Sequence, residues 1–457
     1  MATAAQPVTG KLERAPQNGT PTVTPLPHGF ERLERAVHHA LEELAPYYHD
    51  LLIRLVKIPS EIGEEAAAQD VMQQEMARLG LEVDRFEIDA QALADHPGFN
   101  PATWNSPVSR PNVVGRWSGK GGGKSLILNA HMDTVPVGRS QNWELDPFSG
   151  LHMDGKIHGR GAWDDKAGCI QMLWITDALQ RAGIDLKGDL LLQSVVEDET
   201  TANGTLACVH RGHVADGAVI LDGTSSDGII VAHMGQQMFE VTIAGRPAPS
   251  VVSFRGHNPI STACRLVERL EAHARNKNAE RNAAWGAAAQ PNFITITGIQ
   301  AGDGPSVVPS RCTVTGHFGF CPPQTVEEAR AELKAILLEV SQGDEFLEES
   351  PLEICFKGYS CEPQSFLENN PVLEQLTRVV ERLDGQAPRH LHITGAGDLR
   401  HFAQGSAQYI PSCMYGPGRG RGAHVDNEYV ETEDLLRVAK SVSSFVLEWC
   451  QAADLSK

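Results

Sequence analysis

The chain predicts an α/β fold: a mostly parallel sheet with helices on both faces, carrying an inserted α+β unit of ferredoxin-like type. Three observations lead there. Short apolar runs at 125–129, 189–196 and 218–221 alternate with a helical stretch over 166–181, the pattern of strands joined by helical crossovers. Each run ends just before an acidic or imidazole side chain, with His131 after the first, Glu199 after the second and Asp222 after the third, while 409–415 leads toward His424. Sites in open α/β sheets form beyond the carboxyl ends of strands, so these segments would deliver their side chains to one rim. Residues 236–358 break the alternation and read in the order βαββαβ.

Taken in order, residues 1–30 carry five prolines and no apolar stretch able to serve as a signal-peptide core, and predict a disordered tail. From Glu31, Leu33, Val37, Leu41 and Leu44 recur at helical spacing as far as Pro46, and a second run covers 51–56 before Pro59 and Ser60. A further helix over 64–79 uses Val71, Met72, Met76 and Leu79 as its inner stripe, with Gly80 as C-terminal cap. The run Gly-Lys-Gly-Gly-Gly at 119–123 reads as a hairpin or loop. In the inserted unit, strands at 238–244, 293–299, 312–320 and 352–356 enclose helices at 258–274 and 325–340. The chain then returns to the first pattern, which gives one unit from 31–235 plus 359–457 and another from 236–358.

A length of 457 residues is enough for two or three domains and a large core. With 41% hydrophobic and 21% charged residues the composition is that of a soluble protein, and no apolar run approaches a membrane span. The formal charge of −19 argues against nucleic acid as a partner, since backbone binding requires a basic face. Nine cysteines without CxxC spacing suggest neither a disulfide framework nor a thiolate zinc site, and fit a reducing, cytoplasmic setting.

His131, Asp164, Glu199, Asp222 and His424 together read as a dinuclear metal site. Two imidazoles and three carboxylates suit Zn2+, with Co2+ or Mn2+ as substitutes. Asp164 can bridge two ions, with His131 and Asp222 completing one set and Glu199 and His424 the other. Ions about 3.5 to 4 Å apart activate water and polarise a carbonyl together. Asp133 lies two residues after His131, the spacing at which an extended chain returns to one side, and is read as orienting the imidazole. Singly these signals are weak, since an acidic triplet is usually a solvated face and an Asp-Gly pair a plain turn; their order and placement at strand ends carry the reading.

The segments His131-Met-Asp133-Thr-Val-Pro136, Trp143…Asp146-Pro-Phe148, Gly159-Arg-Gly-Ala-Trp-Asp164-Asp-Lys166-Ala-Gly168, the triplet Glu197-Asp198-Glu199, Asp222 and Gly416-Pro-Gly418…His424…Asn427-Glu428 resemble the dinuclear-zinc aminoacylase and carboxypeptidase family. That family includes acetylornithine deacetylase, succinyl-diaminopimelate desuccinylase and glutamate carboxypeptidase, and the match runs from about Leu51 to Val446. The resemblance implies hydrolysis of an amide bond in an N-acyl-amino acid or dipeptide-like small molecule, by a zinc-peptidase-like catalytic domain with an inserted lid that dimerises. It puts Asp198 in the place of the general base, where the family usually has Glu; Glu197 is the alternative. It also marks two departures. The lid histidine of the family corresponds to Pro249 in Gly245-Arg-Pro-Ala-Pro249-Ser250, leaving His257 or His233 to support the oxyanion. The lid arginine that grips a substrate carboxylate corresponds to Phe-Gly-Phe-Cys-Pro-Pro at 318–323, leaving Arg255, Arg311 or Arg400, or a substrate without that carboxylate. Two other readings of the same residues stay open: hydrolytic deamination of an aromatic amine, and a degraded hydrolase that serves as a binding or assembly module.

Overall fold

A computed structural model describes residues 29–101, 109–223, 228–279, 292–404 and 409–453. The expected tail at 1–30 falls almost wholly outside the described residues. Nine strands form the larger sheet, whose middle consists of Leu190–Val195, Leu126–His131, Ala218–Ile220 and Ser412–Met414 side by side and parallel. Successive residues of a strand face opposite sides, and the core divides accordingly: Leu126, Leu128, Leu190 and Leu192 enter one cluster, Ile127 and Leu191 the other. Helices Phe30–Val56, Lys166–Arg181, Pro371–Asp384 and Thr432–Val446 supply the first cluster; Val209, Leu399 and Phe402 supply the second.

The sheet is mixed rather than mostly parallel. Pro111–Trp117 runs antiparallel to Leu190–Val195, Glu82–Glu87 antiparallel to Pro111–Trp117, and Gly228–His233 antiparallel to its neighbours Ser412–Met414 and Gln364–Ser365. The parallel expectation holds for the centre and for Arg389–Ile393, which pairs parallel with Gly228–His233, and fails at Glu82–Glu87, Pro111–Trp117 and Gln364–Ser365 and where Gly228–His233 meets Ser412–Met414.

The helix expected to stop at Pro46 continues from Phe30 to Val56. Proline removes one donor and crowds the preceding turn. Packing offsets this here: Leu41, Leu44, Tyr48, Leu51 and Leu52 are all buried on helix Lys166–Arg181 and its neighbours, and Trp174 Nε1 donates to the Leu41 carbonyl at 3.0 Å. The helix expected over 64–79 spans Ala66–Arg78, with Gly80 at φ 71° past its end.

From Gly235 to Cys361 a second sheet forms, four strands in the order Ile294–Ala301, Arg311–Phe320, Gly235–Ala244, Glu353–Cys361, all antiparallel. Helices Pro259–Ala279 and Val326–Glu339 cover one face through Leu266, Leu270, Leu333 and Leu337. A capping box between Thr325 and Glu328 starts the second helix. A third, small sheet was not anticipated: Gly420–Arg421, Tyr429–Glu431, Lys156–His158 and Leu151–Met153, antiparallel throughout. It joins the segment leading to Asp164 with the segment carrying His424. Among the described residues no helix is long and apolar enough to cross a membrane.

Trp174 is fully buried, stacked on Tyr48 at 5.7 Å between ring centres. Trp174→Ala is expected to destabilise the protein by about 3–5 kcal/mol through the cavity and the lost Leu41 contact, read from a denaturant midpoint at unchanged m-value.

Candidate metal centre

The five expected ligands come together. His131, Asp164 and Asp222 offer ligand atoms that all lie within 4.8 Å of one another, and so do Asp164, Glu199 and His424. Asp164 belongs to both groups and turns one oxygen toward each: Oδ1 is 3.0 Å from His131 Nε2, and Oδ2 is 3.5 Å from His424 Nε2. His424 Nε2 also meets Glu199 Oε2 at 2.8 Å.

Each side chain arrives by a different local device. His131 is the last residue of the strand Leu126–His131, in register with Val195. Its Nδ1 faces the backbone carbonyl of Asp133 at 2.9 Å, with the Asp133 carboxylate farther off at 3.5 Å. A proton on Nδ1, donated to that carbonyl, leaves Nε2 as the ligating nitrogen. Asp133 thus faces the imidazole with both its backbone carbonyl and, farther off, its carboxylate. The Asp133 carboxylate has a second use: it accepts the backbone N–H groups of Asp198 at 3.3 Å and Glu199 at 3.1 Å, and so fixes the loop that carries them.

Asp164 is held from both sides. Asp165 caps helix Lys166–Arg181 by accepting from the Gly168 N–H at 3.0 Å and also accepts from the His131 N–H at 3.1 Å. Gly168 is required there, because a Cβ would stand 2.4 Å from Asp165 Oδ1 and 2.6 Å from the Leu221 carbonyl. On the other side Glu428, fully buried, accepts from Arg160 Nη1 at 2.6 Å and from the backbone N–H of Gly161, Trp163 and Asp164 at 3.2, 2.9 and 3.1 Å. His424 sits at φ 61° on the loop before Glu428, with its side chain about half exposed, which leaves this ligand the most accessible of the five.

The donor set fits divalent cations. Burial, then the neighbouring Asp164, pushes the Glu199 carboxyl up to about 7 and Asp222 well above the usual carboxylate range. Burial opposes charge on His131, yet hydrogen bonds to Asp133 and Asp164 carry its pKa well above the ordinary value, and Glu199 raises His424 to about 9. Three crowded carboxylates, compensated by two imidazoles and at longer range by Arg160, favour a cation between them. Glu199 Oε1 is buried without a hydrogen-bond partner, a lone pair that a metal would use.

Asp198 reaches the same place, its Oδ2 4.0 Å from His131 Nε2. Glu197 does not. It pairs with Arg110 Nη1 at 2.8 Å, accepts from Thr201 and Asn203, and is 6% exposed. Of the residues considered for the oxyanion, His233 is fully buried with Nδ1 at 2.9 Å from the Met234 carbonyl, and His257 stacks on Phe346 and contacts Thr262. Arg311 bonds Thr242 within the second sheet, and Arg255 leans on Phe254. Arg400 is buried, bonded to the Tyr359 hydroxyl and the Thr201 carbonyl. Phe318 and Phe320 lie in the core of the second sheet. The roles of Asp165, Arg160 and Glu428 escaped sequence reading. The Arg160–Glu428 pair spans 268 positions, and nothing local in either segment marks it. Arg160→Met leaves Glu428 buried beside Asp164 without its counter-charge, and is expected to cost about 3–5 kcal/mol of stability and to weaken metal retention, measured by chemical denaturation and by metal analysis after dialysis.

Residues 127–448 match the model described as Peptidase family M20/M25/M40, a span that includes all five ligands and Asp198. A protein from Halalkalibacterium halodurans named N-formyl-4-amino-5-aminomethyl-2-methylpyrimidine deformylase is 27% identical over 374 residues, 77% of this chain and 86% of that protein. A succinyl-diaminopimelate desuccinylase from Cereibacter sphaeroides is 26% identical over 365 residues, 76% and 85% of the two chains. The structure of a tripeptidase from Staphylococcus aureus superposes with a TM-score of 0.69 at 20% identity, covering 89% of this chain and 99% of the other, a likeness of fold. The chain belongs to peptidase family M20/M25/M40 and is a hydrolase acting on carbon–nitrogen amide bonds.

Proposed function

We propose that His131, Asp164 and Asp222 hold one ion, most readily Zn2+, that Asp164, Glu199 and His424 hold a second, and that the chain removes an acyl group from an N-acylated amine. The observation that carries this is the sharing of Asp164 between two ligand groups within bonding reach. Bound there, two ions supply Lewis acidity toward the amide carbonyl and lower the pKa of a water. Asp198 takes the proton that the attacking water gives up and returns it to the amine nitrogen as the C–N bond breaks. Asp133 keeps Asp198 at that station through the backbone N–H of residue 198. Glu197 is committed to Arg110, which favours Asp198 as the base.

Two features support a substrate without a free α-carboxylate. The segment at 318–323 supplies no arginine, and relatives 27% and 28% identical are named as deformylases of an aminomethylpyrimidine. An N-formyl or N-acyl amine with a planar heteroaromatic part is accordingly the substrate class proposed.

Residues 236–358 serve in this reading as a ferredoxin-like lid and dimerisation domain beside a catalytic domain formed by 31–235 and 359–457. The edge strand Ile294–Ala301, with Ile299 half exposed, supports pairing of two copies. Unpaired cysteines support a cytoplasmic setting. Light scattering giving a monomer would remove the dimer.

Asp198→Ala is expected to lower kcat about 10²–10⁴-fold with KM little changed and metal content intact. Chelation should abolish turnover, and Zn2+ or Co2+ restore it. In a panel of N-formyl and N-acetyl aminomethylpyrimidines, N-acyl-amino acids and dipeptides, the first group should show the highest kcat/KM; preference for dipeptides would overturn the substrate class, and ammonia release from an aryl amine without amide turnover would overturn the reaction.

A further inference from the structure

The residue before the shared ligand is a tryptophan, and three glycines from the other ligand segments make room for it. A Cβ on Gly223, the residue after Asp222, would stand 2.4 Å from the Trp163 six-membered ring. On Gly422, two residues before His424, it would stand 3.3 Å from the ring, and on Gly420, which φ 156° and the Tyr429 carbonyl at 2.2 Å already hold to glycine, 2.9 Å from Cδ1. Gly223 and Gly422 do not occupy the left-handed region, so their backbone alone does not demand glycine. The ring does. Its own backbone is fixed, because Glu428 Oε1 accepts the Trp163 N–H at 2.9 Å. The indole is thus tied to Asp164 through the chain, and it touches the Asp222–Gly223 turn and the arm that delivers His424.

We propose that the Trp163 indole is a positioning residue that sets the separation of the two metal sites, by spacing the Asp222 turn and the His424 arm from Asp164. This rests on the metal reading above. A wedge of rigid width is suited to that task, since two ions act together only when their separation is closely held, and it adds a side-chain contact to an arm held otherwise by backbone: Gly420–Arg421 pairs with Tyr429–Glu431, and Arg160 Nη1 donates to the Val425 carbonyl, while His424 itself is half exposed. Removing the indole frees both the turn and the arm. The His424 side, the more exposed of the two, should loosen first.

Bound ions are counted by elemental analysis, and Co2+ titrations follow the visible bands of each site, so the readout is independent of turnover. The parent should hold two ions. Trp163→Ala should hold one tightly, with the affinity for the second lowered about 10–100-fold, while Trp163→Phe, which keeps a flat ring, should recover most of it. Gly223→Ala should weaken binding in the parent through its clash with the indole, and have no further effect in the Trp163→Ala background. Thermal unfolding of the metal-free variants separates loss of fold from loss of spacing. Should Trp163→Ala not fold, Gly223→Ala and Trp163→Phe decide the matter: parent-like binding by Gly223→Ala overturns the proposal. Two ions held with parent affinity by Trp163→Ala overturn it as well. A parent protein that binds no ion overturns the metal reading and this proposal together.

Discussion

The buried carboxylate of Glu428 is the interaction on which the site depends. It accepts from Arg160 and from three consecutive-turn backbone N–H groups of the segment 161–164, and it is the C-terminal neighbour of the loop carrying His424. One anion therefore fixes the backbone of the shared ligand and the root of the most exposed one. Burial, then the neighbouring Asp164, raises its pKa to about 7. Arg160 makes that tolerable: a buried charge without its partner costs several times what an exposed pair contributes.

The same economy of charge runs below the site. Glu65 and Glu197 are buried carboxylates, and Arg110 bridges them with three nitrogens at 2.7 to 3.0 Å. That bridge anchors the start of the acidic triplet, while Asp133 accepts the N–H groups of its other two members. The triplet is consequently not a solvated acidic face. Its first acid is structural, its second faces His131, and its third reaches His424. Alternation of side-chain direction along a tight loop, with Glu197 at φ 73°, is what separates three adjacent acids into three duties.

Much of the site was legible because strand ends are legible. A fully buried strand reads as a continuous apolar run, and a polar residue placed just past it has few destinations other than the rim of the sheet. His131, Glu199 and Asp222 were found in this way, and Asp164 through the segment Gly159-Arg-Gly-Ala-Trp-Asp164-Asp-Lys166. Pro46 misled because packing of Tyr48 and Leu51 against the neighbouring helix outweighs the lost hydrogen bond, a tertiary term that propensity does not contain. Asp133 lies beside His131 as its spacing suggested, with its carboxylate 3.5 Å from Nδ1 and its backbone carbonyl nearer at 2.9 Å; spacing along a strand gives a side and not an atom.

The sequence by itself determined which chemical groups are available and at which strand ends they emerge, because apolar periodicity follows from burial and the carboxyl rim follows from parallel crossovers. Tertiary structure alone decided that Asp164 lies within reach of both ligand groups, that Glu197 is paired with Arg110, that the sheet turns antiparallel at Pro111–Trp117 and Gly228–His233, and that a small third sheet joins the Asp164 and His424 segments. Those outcomes depend on hydrogen bonds and van der Waals contacts between positions hundreds of residues apart. Such contacts have no period and no local signature, and only the folded chain brings their partners within reach.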